Sequence, residues 1–419
     1  MKLQIKKRTE PTLNSKTLKN YAELIIKLGV NLQPGQGLEI SCPVEKRKFA
    51  HILAKTAYDN GAKIVKVRFE DEQLEKLNYE RASVDTLLDI PKWFIDSKNY
   101  LVEKDFCYVA ISAEDPSLFK KIDPEKLFAV ATKKAKLLKK FSDAVMNNQI
   151  RWCVVSVPTL AWAKQVFPDS PAPEKELSIA IEKAMRLDAQ SPLLAWEKHV
   201  DDLQKRSSYL NQMQFEYLHF TNGLGTDLTV GLAIDHVWLS AMEKAKDGVN
   251  FLANMPTEEV FTAPHRLKVD GVLKGALPLC VNGQIIDGFS ITFKKGKITS
   301  FDAKKGYSTL KQLIETDGGT KYLGEVALIG KNSPIAKSSI LFYNTLFDEN
   351  ASCHLAIGKA YPTTVKNGDK LSLRELKEKG LNDSVEHVDF MIGTPDLKVV
   401  GILKDGTEKV IFLDGEWAI

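Results

Sequence analysis

The chain has 419 residues, 44% apolar and 27% charged, and its 58 basic and 54 acidic side chains leave a net charge of +4. This is the profile of a soluble globular protein of about two or three domains, not of a collagen-like, coiled-coil or disordered chain. A charge so near balance gives no electrostatic case for binding nucleic acid or an acidic membrane surface.

Residues 1–10 carry lysines with no apolar stretch behind them, so no signal peptide is expected. Residues 14–30 put Tyr21, Leu24, Ile25 and Leu28 on one stripe, which predicts a helix ending near Gly29. Pro34-Gly35 marks a turn. A short strand is predicted over 37–42, a helix over 43–60 closed by Asn60-Gly61, and a strand over 63–69. Apolar strands follow over 105–112 and 151–157. Between them, 124–144 reads as a long amphipathic helix whose wet face carries Lys133, Lys134, Lys136, Lys139 and Lys140. Helical segments fill 173–213. Short apolar strands separated by helices predict a parallel sheet covered on both faces.

From Glu216 onward helices thin out and turn signals multiply. Residues 226–230 read as a strand. Asn282-Gly283, Lys295-Gly296, Asp405-Gly406 and Asp414-Gly415 lie between alternating apolar runs, the hairpin pattern, with one helix predicted over 308–315. The fold class is therefore α/β: an N-terminal α/β domain with a mainly parallel sheet, then a β-rich C-terminal domain. The division falls within 215–240, and the two domains are taken as 1–225 and 226–419. No run reaches the ~18 apolar residues of a membrane span. Cys42, Cys107, Cys153, Cys280 and Cys353 are odd in number, far apart and never spaced Cys-x-x-Cys, which predicts free thiols and a cytoplasmic protein.

Gly223-Leu224-Gly225-Thr226-Asp227 lacks the dinucleotide fingerprint and reads as a turn between strands. Among the histidines, His51 and His199 sit among charged neighbours and are expected at the surface, whereas His219 and His236 sit in apolar runs and are expected in the core. His387 and Asp389 are two apart in Glu386-His387-Val388-Asp389-Phe390, so on a strand they share a face. Together they make either half a metal site or the solvated face of an edge strand. Glu349 and His354 are five apart, a spacing that converges only if a loop runs into a strand. Tyr361 stands either to polarise a carbonyl or to pack beside Pro362. Glu259, after Glu258, opens a likely strand, and Glu325 is a lone acid in an apolar one. Each needs a partner if buried: a metal, a cap, or an arginine such as Arg266 or Arg374. Glu259, Glu325, Glu349, His354, His387 and Asp389 together have the ligand balance of a two-metal hydrolase site.

Four blocks carry a resemblance. They are Met255-Pro256-Thr257-Glu258-Glu259-Val260-Phe261-Thr262-Ala263-Pro264, Gly324-Glu325-Val326-Ala327, Asn344-Thr345-Leu346-Phe347-Asp348-Glu349-Asn350-Ala351-Ser352-Cys353-His354-Leu355-Ala356 and Glu386-His387-Val388-Asp389-Phe390-Met391. Together with Tyr21-Ala22-Glu23-Leu24 and Gln33-Pro34-Gly35-Gln36, they resemble the signature blocks of the aminopeptidase T, aminopeptidase S and PepS family of metallopeptidases over essentially the whole chain. The resemblance implies a homodimeric exopeptidase that removes N-terminal residues from peptides using two divalent ions: zinc, cobalt, manganese or magnesium. It implies metal ligands at Glu259, Glu325, His354, His387 and Asp389, a ligand or acid/base role for Glu349, and a catalytic tyrosine at Tyr361. The C-terminal domain is then the catalytic one.

The mechanism expected from this has two ions acidifying a shared water, with Glu325 near the bridging position. Tyr361 steadies the oxyanion and Glu349 carries the proton to the leaving amine. Two rivals stand beside it. One is a cysteine hydrolase built on Cys353 and His354, poor in geometry because sequence neighbours point apart on a strand. The other is a metal- or peptide-binding protein without turnover.

Overall fold

The computed structural model describes residues 13–281 and 284–419, so the expectations for residues 1–10 and for the Asn282-Gly283 turn lie outside the described residues. The chain is a mixed α/β protein. Its first half holds four parallel strands, Gly37–Pro43, Ile64–Glu70, Phe106–Ile111 and Trp152–Val155, in the spatial order second, first, third, fourth. Parallel neighbours require crossovers, and helices supply them. Arg47–Asp59 links the first pair, and Pro124–Leu137 with Lys139–Met146 links the last. Every residue of Gly37–Pro43 is buried, which is why that strand carries so little alternation.

The first helix starts where the Asn14 side chain accepts the Thr17 N–H at 2.9 Å, runs Ser15–Leu24, and widens into a looser turn over Ile25–Gly29. The helix predicted from residue 43 begins at Arg47, because Pro43 is still in register with Glu70. The one predicted over 124–144 is broken at Leu138. The stretch 173–213 forms Pro173–Ala184 and Pro192–Met213, separated by a turn in which Arg186 takes a left-handed φ of 55°.

The second half is antiparallel. Its largest sheet runs, in spatial order, Leu279–Val281, Gln284–Lys294, Pro264–Lys274, Asp227–Leu232, Tyr217–Thr221, Lys398–Ile402, Glu408–Leu413 and Glu416–Trp417. Lys297–Lys305 also pairs with Gln284–Lys294. Lys295-Gly296 (φ 50° and 82°) and Asp414-Gly415 (φ 49° and 70°) turn its hairpins with both residues left-handed, the twist that suits a two-residue connection. Tyr217–Thr221, on the N-terminal side of the expected 225/226 division, pairs only with strands from beyond it. A smaller antiparallel sheet orders His387–Met391, His354–Gly358, Leu323–Leu328 and Val260–Thr262. A two-stranded ribbon joins Met242–Lys244 to Asn250–Leu252.

The halves are stitched together at the last parallel strand. The Val154 N–H donates to the Ala253 carbonyl at 2.8 Å, and the Met255 N–H to the Val154 carbonyl at 3.0 Å. That seam leads straight into Glu258 and Glu259. Among the described residues, no helix is long and apolar enough to cross a membrane.

Candidate metal centre

The smaller antiparallel sheet explains why side chains so far apart in sequence meet. Cross-strand partners share a face, and so do residues two apart on one strand. Glu325 is in register with Ala356, and Ala356 with Asp389. Stepping by two adds His354 and His387. Ala327 pairs with Phe261, two residues after Glu259. One face of the sheet therefore carries Glu259, Glu325, His354, His387 and Asp389, with small Ala327, Ala356 and Gly358 leaving room between them. Glycine is required at 324, where a Cβ would come within 2.4 Å of the Gly358 carbonyl oxygen beside the bulge preceding Glu325.

These donors converge on two overlapping groups, Glu259–Glu325–His354 and Glu325–His387–Asp389. His354 Nε2 lies 3.2 Å from Glu259, 3.5 Å from Glu325 and 3.8 Å from Asp389. His387 Nε2 lies 3.4 Å from Asp389 and 3.7 Å from Glu325. The other nitrogen of each ring faces a backbone carbonyl: His354 Nδ1 at 2.9 Å from Glu349 O, and His387 Nδ1 at 2.7 Å from Lys359 O. A carbonyl only accepts, so each Nδ1 carries the proton, and both Nε2 lone pairs are free for a cation once deprotonated. The residues fit a metal on a further observation: among the described residues, Asp389 Oδ1 is buried with no hydrogen-bond partner, and no lysine or arginine lines the cavity.

Electrostatics show the same unmet demand. Burial disfavours charge on His354, yet hydrogen bonds to Glu259 and Glu325 and the charges of Glu259 and Asp389 raise its pKa well above the ordinary value. Burial likewise opposes protonation of His387, but Asp389 and Glu325 push it up to about 9. Burial, only partly offset by His354, pushes Glu325 up to about 7. Burial and the charges of Asp389 and Glu259 raise Glu349 well above the carboxylate range. Protons here hold the place of multivalent cations, and metal uptake would release them.

Every residue singled out for the site lines one cavity of about 40 Å³: Glu259, Glu325, Glu349, His354, Tyr361, His387 and Asp389. Glu349 belongs to neither donor group, although its backbone orients His354. Tyr361 packs edge-on against His387 with ring centres 5.1 Å apart, and burial together with Glu325 and Asp389 raises its pKa well above the ordinary value, so it stays a neutral O–H donor. His387 also lines a groove of about 880 Å³ beside the helices that carry Lys134 and Lys139.

Several expectations change. His199 is largely buried rather than at the surface, with Nε2 2.8 Å from the Thr257 carbonyl oxygen. His219 is partly exposed rather than in the core, and meets Asp227 at 2.8 Å. Neither arginine weighed as a carboxylate partner reaches the site: Arg374 pairs with Glu378 at 3.0 Å, and Arg266 stacks over Tyr322. Arg186, which no sequence spacing singles out, meets Glu258 at 2.7 Å. Cys353 points away from the centre: the Ile329 N–H donates to its sulfur at 3.3 Å, and burial pushes its thiol up to about 12, which removes the thiolate a cysteine hydrolase needs.

The sequence gives no local signal for three further lining residues, Trp152, Glu243 and Asn254. Glu243 comes from the ribbon, where Ala-Met-Glu-Lys-Ala-Lys-Asp reads as exposed. Burial, opposed by a hydrogen bond from Asn148 and reinforced by Glu259 and Glu325, pushes it up to about 7. Only the tertiary seam at Val154 brings this wall to the cavity.

An imidazole–carboxylate centre of this donor chemistry, buried in an α/β scaffold, is that of a metalloenzyme. The chain belongs to the thermophilic metalloprotease family (M29), whose sequence profile matches residues 14–417. It is 43% identical to aminopeptidase 2 of Geobacillus stearothermophilus over 96% of this chain and 98% of that one, and 40% identical to aminopeptidase AmpS of Bacillus subtilis over 96% and 99%. Its fold matches wild-type AmpT from Thermus thermophilus with a TM-score of 0.88 at 35% identity, covering 96% of this chain and 99% of that one. A 2,5-dihydroxypyridine dioxygenase from Pseudomonas putida shares the fold alone, with a TM-score of 0.52 at 12% identity. The chain is thus a metal-dependent peptide-bond hydrolase.

Proposed function

We propose that this protease is an aminopeptidase that uses two divalent ions, which Glu259, Glu325, His354, His387 and Asp389 would hold, Glu325 being the donor common to both groups. The observation that carries this reading is the pair of donor groups with Glu325 in common, set in a small cavity that adjoins a much larger groove through His387. The aminopeptidase relatives support the substrate class: peptides with a free N-terminus. When bound, the ions would supply carbonyl polarisation and a nucleophilic water at neutral pH.

The chain's own residues do the rest. The groove holds the peptide while its first residue reaches the cavity. The Tyr361 hydroxyl donates to the oxygen that gains charge on the attacked carbonyl. Glu349, buried and outside both donor groups, takes the proton from the attacking water and passes it to the departing amine nitrogen. Free cysteines support a cytoplasmic location. The family resemblance is the ground for proposing a homodimer.

The test is hydrolysis of aminoacyl p-nitroanilides and short peptides by the protein as isolated, after chelation, and after return of cobalt, zinc, manganese or magnesium. Activity should vanish on chelation, return with metal, and spare N-acetylated peptides. Activity that survives exhaustive chelation would overturn the metal mechanism. Tyr361→Phe should lower kcat by about 100-fold, the scale of one lost oxyanion donor, with little change in KM. An unchanged kcat removes Tyr361 from the chemistry.

A further inference from the structure

Glu243 stands apart from the other acids of the cavity. It comes from the ribbon Met242–Lys244 rather than from the donor sheet, and it belongs to neither metal group. Asn148, itself buried and in a left-handed turn at φ 52°, donates its side-chain N–H to Glu243 Oε2 at 2.6 Å and fixes the carboxylate. Among the described residues, Glu243 Oε1 accepts no hydrogen bond and no lysine, arginine or histidine forms an ion pair with Glu243. This contrasts with Glu258, which Arg186 answers at 2.7 Å.

Placement says what Oε1 awaits. Glu243 lines the small cavity but not the large groove, whereas His387 lines both. A peptide that enters by the groove passes His387, which lines both, before it meets Glu243, which lines the cavity alone, as Trp152 and Asn254 do. The cavity, at about 40 Å³, has room for little beyond a small terminal group. The group that ends a peptide there is a primary ammonium, which has hydrogen-bond donors and a positive charge. A fixed carboxylate with one open oxygen matches it.

We propose that Glu243 anchors the α-ammonium group of the substrate and so makes the enzyme an exopeptidase. This rests on the aminopeptidase reading above. It divides the labour: the donor sheet serves the carbonyl and the water, while the ribbon measures the distance from the free N-terminus to the first peptide bond.

The experiment compares wild type with Glu243→Gln and Glu243→Asp, using a metal-loaded aminoacyl p-nitroanilide assay and metal content by mass spectrometry. Inhibition by a free amino acid and by its des-amino counterpart is measured alongside. Glu243→Gln should raise KM about 10- to 100-fold with kcat changed less than about threefold, the scale of one charge-assisted hydrogen bond. Metal content should match wild type, and the preference for the amino acid over the des-amino acid should be lost. Glu243→Asp, which keeps the charge, should recover part of that preference. An unchanged KM, or lost metal in a Glu243→Gln protein that melts like wild type, overturns the inference. The second result would make Glu243 a ligand. A wild type with no turnover overturns the aminopeptidase reading itself, and the inference with it.

Discussion

Glu39 and Glu325 occupy matching places in two different sheets. Glu39 sits on an interior strand of the parallel sheet, 5% exposed, with Lys98 at 3.1 Å and Arg68 at 3.4 Å. Glu325 sits on an interior strand of the antiparallel sheet, 4% exposed, in a cavity that no lysine or arginine among the described residues lines. The chain neutralises the first acid itself and leaves the second to be neutralised from outside. Glu258 and Glu259 repeat the contrast one residue apart: Arg186 takes Glu258, and His354 at 3.2 Å takes Glu259. Burial of a carboxylate therefore does not mark a functional site. What marks Glu325 is burial with neither a lysine or arginine nor backbone N–H donors, such as those that satisfy buried Asp348.

The largest effect should come from breaking the open side of this contrast. Glu325→Gln keeps the shape but removes the charge common to both donor groups. Turnover should fall at least about 1,000-fold, and the metal retained after dialysis should drop. Full metal retention with normal turnover would mean that Glu325 is no more a ligand than Glu39.

The closed side should respond in stability alone. Lys98→Met leaves Glu39 buried with Arg68 as its one cation, and losing one hydrogen bond to a charged group costs about 1.5 to 3 kcal/mol. Denaturant melts should show that loss while metal content stays at the wild-type value. A variant as stable as wild type would show that Arg68 alone suffices.

The subtlest difference is in pH dependence. In the metal-free protein, burial raises Glu325 to about 7, so its contribution to stability is complete below the ordinary glutamate value and is lost as pH rises through about 7. His387 is raised to about 9 despite burial, so its contribution is complete below the ordinary histidine value and is lost on the way to about 9. Asp389 works the other way. Burial resists its ionisation, but His387 holds it below the usual range, so it stabilises above that range and is lost in acid. Between about pH 5 and 9 the first two dominate. Thermal melts of chelated protein should show Tm falling across that window, and metal should flatten the slope. A Tm that rises with pH would mean that the carboxylates already have their cations.

Much of the centre was legible in the sequence because strands impose a period of two. His387 and Asp389 were assignable to one face from spacing alone, and Glu325 stood out as a lone acid in an apolar strand. The parallel half was legible from its apolar runs and caps, such as Asn14 and Asn60-Gly61. Spacing alone could not order the strands of the site sheet, because its four members are drawn from residues 260 to 391 and pair through loops with no periodic signal. Arg186 and Glu243 were illegible for the same reason: each lies in a charged stretch resembling ordinary surface, and only long-range packing turns it inward. His199 shows the error in reverse, since charged neighbours on a helix do not keep a residue wet when one face packs beneath Thr257.

The strand Tyr217–Thr221 has a consequence in time. It lies between Asp227–Leu232 and Lys398–Ile402, so one of its edges stays open until about 180 further residues have been made. Asp389, too, is translated only shortly before that closing strand. The parallel sheet is complete in sequence by Val155, but the donor sheet waits for His387–Met391. A chain that stops short of His387 and Asp389 therefore lacks two donors of the centre, however well its parallel sheet forms.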